Sequence, residues 1–180
     1  MKTILRDILG TAVLAVVIFL LLQATVQVSV INGHSMEPDL HNGQRLIVNK
    51  AAYFFDQPER GDIIIFHPPD NPRVEYIKRI IGKPGDVVEI KKGVVYINGE
   101  TLPETYVKEP PHYTLSQTEI PATNYFVLGD NRNNSNDSHN GWTVPRENII
   151  GKAWLSIWPP PEWGLAPNYS FDQQMADPTS

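Results

Sequence analysis

From Ile8 to Ile31 the chain carries no charged side chain. A helix needs about 20 apolar residues to cross the hydrocarbon core of a bilayer, and this run is long enough. Its most apolar part, Leu9 to Leu22, contains AVLAVVIFLLL. Beyond Gln23 the pattern changes: Val26, Val28 and Val30 alternate with Thr25, Gln27 and Ser29, which is the two-residue period of a strand. The pattern predicts a membrane helix of about residues 4–23 and a strand leading directly away from it. Lys2 and Arg6 precede the apolar run and, by the positive-inside tendency, hold the N-terminus in the cytoplasm. Everything after residue 30 is then expected outside. A removable secretory signal would need a small-x-small site at the end of the run, and Gln23-Ala24-Thr25 is a poor match.

The remainder reads as one β-rich domain. Sixteen prolines and twelve glycines imply many turns. Gly61 to Phe66 (GDIIIF) suits a buried strand opened by a turn residue. In the stretch Val74 to Ile81, strand alternation puts Val74, Tyr76, Lys78 and Ile80 on one face. Val87 to Leu102 holds two β-rich runs joined by Lys91-Lys92-Gly93, a hairpin signal, and Asn98-Gly99 marks a second turn. The proline-containing stretch Lys108 to Ala122 has little periodicity and reads as an extended surface ribbon or loop. Asn124 to Leu128 and Ala153 to Trp158 read as further strands. The expected organisation is a cytoplasmic N-terminus over 1–7, a membrane anchor over 8–24, a β-rich domain over 25–160 and a weakly ordered tail over 161–180. A formal charge of −5 argues against nucleic acid as a partner, and the absence of cysteine excludes disulfides, thiolate metal sites and a Cys nucleophile.

Three segments carry groups able to do chemistry. Ser35 lies in Asn32-Gly33-His34-Ser35-Met36-Glu37-Pro38, after a predicted strand and among turn formers, which exposes its hydroxyl and a backbone N–H. Alone it is an ordinary turn serine. Lys78 shares its strand face with apolar residues; a desolvated lysine loses basicity and can then take a serine proton. Alone it is an ordinary lysine snorkelling from a strand edge. Gly129 to His139 (GDNRNNSNDSH) is a dense polar run after an apolar strand. It fails as an EF-hand calcium loop, because the sixth and twelfth places counted from Asp130 hold Ser135 and Gly141 instead of Gly and Glu.

Together, in this order behind an anchor, these segments resemble the bacterial type I signal peptidases, the leader peptidases with a Ser/Lys dyad. The resemblance rests on Ser35 to Leu40, Gly61 to Phe66, Lys78 to Asp86 and Gly129 to Ser138, and it extends from the anchor to about Trp158. It implies a mainly β, signal-peptidase-like catalytic domain behind one transmembrane helix, with no cofactor and no metal. Ser35 is the implied nucleophile and Lys78 the implied general base. Ser135 is the implied hydroxyl that orients the lysine, Asp137 and Arg79 an implied ion pair, and Asp130 a member of that network. The implied oxyanion hole uses the N–H of Ser35 and a donor at Gly33, which lacks the hydroxyl common there. Asp39 stands where threonine is common and His139 where arginine is common. Met36, Leu40, Tyr76 and Ile77 would line shallow pockets for small residues, typically alanine, before the cut. The implied partners are exported preproteins and membrane lipid. The implied location is the bacterial plasma membrane, single-pass with the domain on the outer face, or another energy-transducing membrane such as a thylakoid. Tyr53-Phe54-Phe55, Trp154 and Trp158 are either an interfacial contact or ordinary core aromatics.

Three other readings compete. A self-cleaving SOS-type repressor peptidase shares the Ser–Lys arrangement but carries a DNA-binding domain and no anchor. A Ser–His–Asp hydrolase would use His34, His139 or Asp130; His34, adjacent to Ser35, points away from it on an extended chain. A membrane-tethered scaffolding module would carry no catalysis.

Overall fold

The structure is a computed structural model and describes residues 2–171. One helix, α1 (Lys2–Thr25), opens the chain, and its Arg6–Thr25 portion is long and apolar enough to cross a membrane. No residue of that portion is buried by the rest of the chain. The helix starts at Lys2, so Lys2 and Arg6 belong to its first turns and do not precede it. It passes without a linker into β1 (Val26–Val30), the strand expected from the valine alternation.

Eleven more strands follow: β2 (Arg45–Asn49), β3 (Ile63–Phe66), β4 (Tyr76–Gly82), β5 (Val87–Lys91), β6 (Val94–Ile97), β7 (Glu100–Thr101), β8 (Leu115–Glu119), β9 (Asn124–Leu128), β10 (Val144–Pro145), β11 (Ile149–Trp158) and β12 (Gly164–Leu165). Between β1 and residue 170, the helical elements are single 3₁₀ turns. The larger sheet runs β1-β2-β11-β3-β4-β9-β10, with β12 on β11; the smaller runs β7-β6-β5-β8. Every pairing is antiparallel. Both turns of the small sheet use consecutive positive φ values, at Lys92 and Gly93 and at Asn98 and Gly99. That is the backbone twist which two-residue hairpins favour.

All four residues of β3 are buried, because this strand lies between β11 and β4 with side chains packed on both faces. Met36, Leu40, Leu46, Ile63 and Ile65 form a core on one side of it, and Ile64, Phe66, Ile80 and Val127 one on the other. Within 108–122, expected as ribbon or loop, residues 115–119 form β8 on the edge of the small sheet. Its polar exposed positions hide the strand from a search for apolar alternation.

The weakly ordered tail needs correction over 161–171. Asn168 Oδ1 accepts from Ile63 N–H at 2.8 Å, and Asn168 Nδ2 donates to Ala153 O at 3.0 Å. Ala166 and Phe171 are buried. Scattered single anchors among prolines leave no periodic trace, yet they strap this segment across the sheet. The rest of the expected tail, 172–180, lies outside the described residues. Of the five aromatics in question, Tyr53 is buried, whereas Phe54, Phe55, Trp154 and Trp158 are exposed.

Candidate active site

Ser35 sits on the loop that turns β1 back into β2. The base of this loop is closed by Ile31 N–H to Gln44 O and Gly43 N–H to Ile31 O, both 2.9 Å. Met36 and Leu40 then plunge into the core, joined by Leu40 N–H to Met36 O at 3.0 Å. With Met36 and Leu40 pinned inward, Ser35 is left half-buried at the surface of a cleft. From the other side, Asn131 N–H donates to Ser35 O and Asn131 Nδ2 to His34 O, each 3.0 Å.

Lys78 comes from β4, opposite Ile64 of β3. Its side chain is 4% exposed, and Nζ lies 2.7 Å from Ser35 Oγ. Nζ also donates to Ile77 O at 2.9 Å and stands 5.4 Å from the Tyr76 ring centre. Burial disfavours the ammonium and brings the Lys78 pKa down to about 8, against the opposing pull of Asp137 and Asp130. A lysine of that basicity is neutral in roughly one molecule in ten at pH 7 and in about half at pH 8. Its lone pair can then receive the Ser35 proton across a hydrogen bond that already exists.

Arg79, next on the strand, points to the opposite face. There it forms a two-pronged pair with Asp130, Nε to Oδ1 at 2.9 Å and Nη2 to Oδ2 at 2.6 Å, with both side chains fully buried. Its Nη1 donates to Gly61 O and Pro167 O, and the rings of Tyr106 and Tyr169 cover the guanidinium. The expected Arg79–Asp137 pair is therefore corrected to Arg79–Asp130. Asp137 instead accepts from Gly129 N–H at 2.9 Å and faces His139 Nδ1 at 2.6 Å, and His139 stacks on Tyr113.

Three further expectations change. Gly33 N–H is taken by Asn42 Oδ1 at 2.8 Å, so Gly33 offers no second oxyanion donor. The Ser35 N–H has no acceptor among the described residues. Ser135 Oγ is buried without a hydrogen bond, so it does not reach Lys78 in this state. Met36 and Leu40 belong to the core and do not line the cleft, because the turn that exposes Ser35 draws them inward. Tyr76 and Ile77 do line it, together with Val30 and Ile65, around a volume of about 320 Å³. His34 faces Glu37, and neither His34 nor His139 bonds Ser35 Oγ, which leaves the Ser–His–Asp reading without a base.

Residue-by-residue reading of the sequence missed Asn131, Asn42 and Gly129 as supports of the Ser35 loop. Asn131 and Gly129 were within the conspicuous polar run, but nothing in a single sequence tells which of its amides reaches back to Ser35.

The profile of the family "Signal peptidase, peptidase S26" matches residues 4–158. The chain is 41% identical over 175 residues to probable signal peptidase I-1 of Synechocystis, covering 93% of this chain and 89% of that protein. It is 48% identical over 136 residues to signal peptidase I of Leptolyngbya laminosa, covering 72% of this chain and 67% of the relative. It is also 41% identical over 136 residues to thylakoidal processing peptidase 1 of Arabidopsis thaliana, covering 70% of this chain and 40% of that one.

Proposed function

The chain belongs to the signal peptidase family, peptidase S26, and is a serine endopeptidase that removes signal peptides from exported preproteins; we propose that it does so with Ser35 as nucleophile and Lys78 as general base. The single observation that carries the assignment of roles is the 2.7 Å contact between Ser35 Oγ and the buried Lys78 Nζ. Neutral Nζ takes the hydroxyl proton as Oγ attacks the carbonyl carbon of the scissile bond. The oxyanion accepts a hydrogen bond from Ser35 N–H, a donor type worth about 3 kcal/mol of barrier. The Lys78 ammonium then protonates the departing amine as the C–N bond breaks, leaving an ester on Ser35. A water, deprotonated by the again neutral lysine, hydrolyses that ester and restores both groups.

The substrate lies extended in the cleft. Tyr76 to Lys78 pair with β3 on one side, but β9 joins β4 only from Arg79 onward. β1 pairs with β2 alone. Two open backbone edges thus flank the cleft, suited to an added strand. Val30, Ile65 and Ile77 give shallow apolar walls for small side chains before the cut. Lys78 Nζ is held by Ile77 O and feels the charges of Asp137 and Asp130, and the Arg79–Asp130 pair braces the strand that carries it.

The helix Arg6–Thr25 anchors the domain in a membrane, N-terminus in the cytoplasm and domain on the outer face. Lys50 Nζ caps the helix end through Gln23 O at 2.8 Å, which fixes exposed Phe54 and Phe55 beside the bilayer surface. The membrane is a plasma membrane or, as in the Arabidopsis relative, a thylakoid.

The test is cleavage of a preprotein by the full chain in detergent or vesicles. Ser35→Ala and Lys78→Ala should each abolish cleavage, by at least about 10³-fold, with circular dichroism unchanged. Wild-type turnover in Lys78→Ala would overturn the role of the lysine.

A further inference from the structure

A second cleft adjoins the one that holds Ser35. Its volume is about 540 Å³, and it lies between β1 and the segment 74–76 that leads into β4. The two clefts share Ser29, Val30, Asn32, Glu75 and Tyr76. Glu75 bridges the walls where they meet: Oε1 accepts from Gln27 Nε2 at 2.9 Å and Oε2 from Ser29 Oγ at 3.2 Å. Both donors are neutral. No cationic side chain among the described residues stands within ion-pair distance of Glu75. A carboxylate has about four acceptor positions, so two remain free on a side chain that lines both clefts.

The direction of β1 identifies what passes this carboxylate. Val26 follows the last residue of the membrane helix, and Val30 leads into the Ser35 loop, so the second cleft lies between the bilayer end of the domain and the nucleophile. A strand of this length spans roughly 17 Å. An extended chain rising from the membrane toward Ser35 crosses the second cleft first. Glu75 precedes Lys78 by three positions, or roughly 10 Å along the strand, which matches about three residues of an extended substrate.

On the reading of the chain as a signal peptidase, we propose that Glu75 is a specificity-determining residue. It receives the polar segment of the signal peptide between membrane helix and cut, and favours lysine, arginine or a neutral donor over aspartate or glutamate at the fourth or fifth residue before the cut. Gln27 and Ser29 hold the carboxylate across the groove, so that its charge meets the passing side chain and does not swing into solvent.

The experiment takes one preprotein that the wild-type chain cuts and places lysine or aspartate singly at each of the third to seventh residues before the cut. The lysine-to-aspartate ratio in kcat/KM should peak at the fourth or fifth residue at roughly two- to fivefold, the range of an exposed ion pair, and should shrink as salt is raised. Glu75→Gln should bring the ratio to about one and Glu75→Lys should invert it, with melting curves confirming that both variants fold. A ratio of one at every position in the wild type, or the same ratio in Glu75→Gln, would overturn the proposal. The positional and salt dependence of the wild type stand even if a variant fails to fold. Failure of the wild type to cut the parent preprotein would instead remove the proteolytic reading itself.

Discussion

Gly129 stands against the backbone of Ser35 with no room for a side chain between them. A Cβ on Gly129 would lie 2.5 Å from Ser35 O and 2.4 Å from Ser135 Oγ. The Ser35 carbonyl cannot yield freely, because it also accepts from Asn131 N–H. Gly129→Ala should therefore displace the nucleophile loop while leaving the sheets intact. A displacement of about 1 Å at a reacting group can cost roughly 10²-fold in rate. Single-turnover kinetics should show a loss of that order with an unchanged far-ultraviolet spectrum; a wild-type rate would mean that the close approach does not position Ser35.

The acid limb of activity follows from Lys78. Desolvation brings its pKa down to about 8, and only the neutral amine accepts the serine proton. Below that pH the neutral fraction falls tenfold per unit, so kcat/KM should fall with unit slope from about pH 8 downward. A profile flat from pH 8 to pH 5 would exclude a lysine base. Because Asp137 and Asp130 pull the pKa upward, Asp137→Asn should move the limb to lower pH.

The apolar helix, the first strand and the meeting of Ser35 with Lys78 were legible because each leaves a local mark: a charge-free run, a valine alternation, a serine among turn formers, a lysine in an apolar strand face. The corrections share the opposite property. Met36 and Leu40 read as pocket residues because they are apolar and near Ser35, but one tight turn decides whether they face substrate or core. The partner of Arg79 depends on which of two aspartates, seven positions apart in one polar loop, folds beneath β4. The strap 161–171 is held by Asn168 and Pro167, whose partners Ala153 and Arg79 are set only by the closed fold.

Lys78 also costs stability. A base whose folded pKa is depressed binds fewer protons folded than unfolded between the two pKa values, so the wild-type chain gains stability as pH rises from about 8 toward 10.5. Below pH 8 the ammonium remains buried at a cost of about 3 kcal/mol. Lys78→Met keeps the volume and removes the charge. It should raise stability by about 1–3 kcal/mol at pH 7, and the gain should fade toward pH 10. Denaturant titrations of both proteins at the two pH values measure this; a Lys78→Met protein less stable than wild type at pH 7 would contradict the burial penalty.

The Arg79–Asp130 pair should behave oppositely to a surface pair. Both side chains are fully buried, and desolvation alone would push the Asp130 carboxyl upward; the two hydrogen bonds from Arg79 oppose that. Removing one partner leaves an uncompensated buried charge, which costs about 3–5 kcal/mol. Asp130→Ala should thus destabilise the domain by that amount. Glu59→Ala, which breaks the exposed Lys83–Glu59 pair, should cost less than about 1 kcal/mol. The contrast separates a pair that braces the strand carrying Lys78 from one that decorates the surface. Equal losses in the two variants, measured by denaturant unfolding at pH 7, would show that the buried pair is not what braces β4.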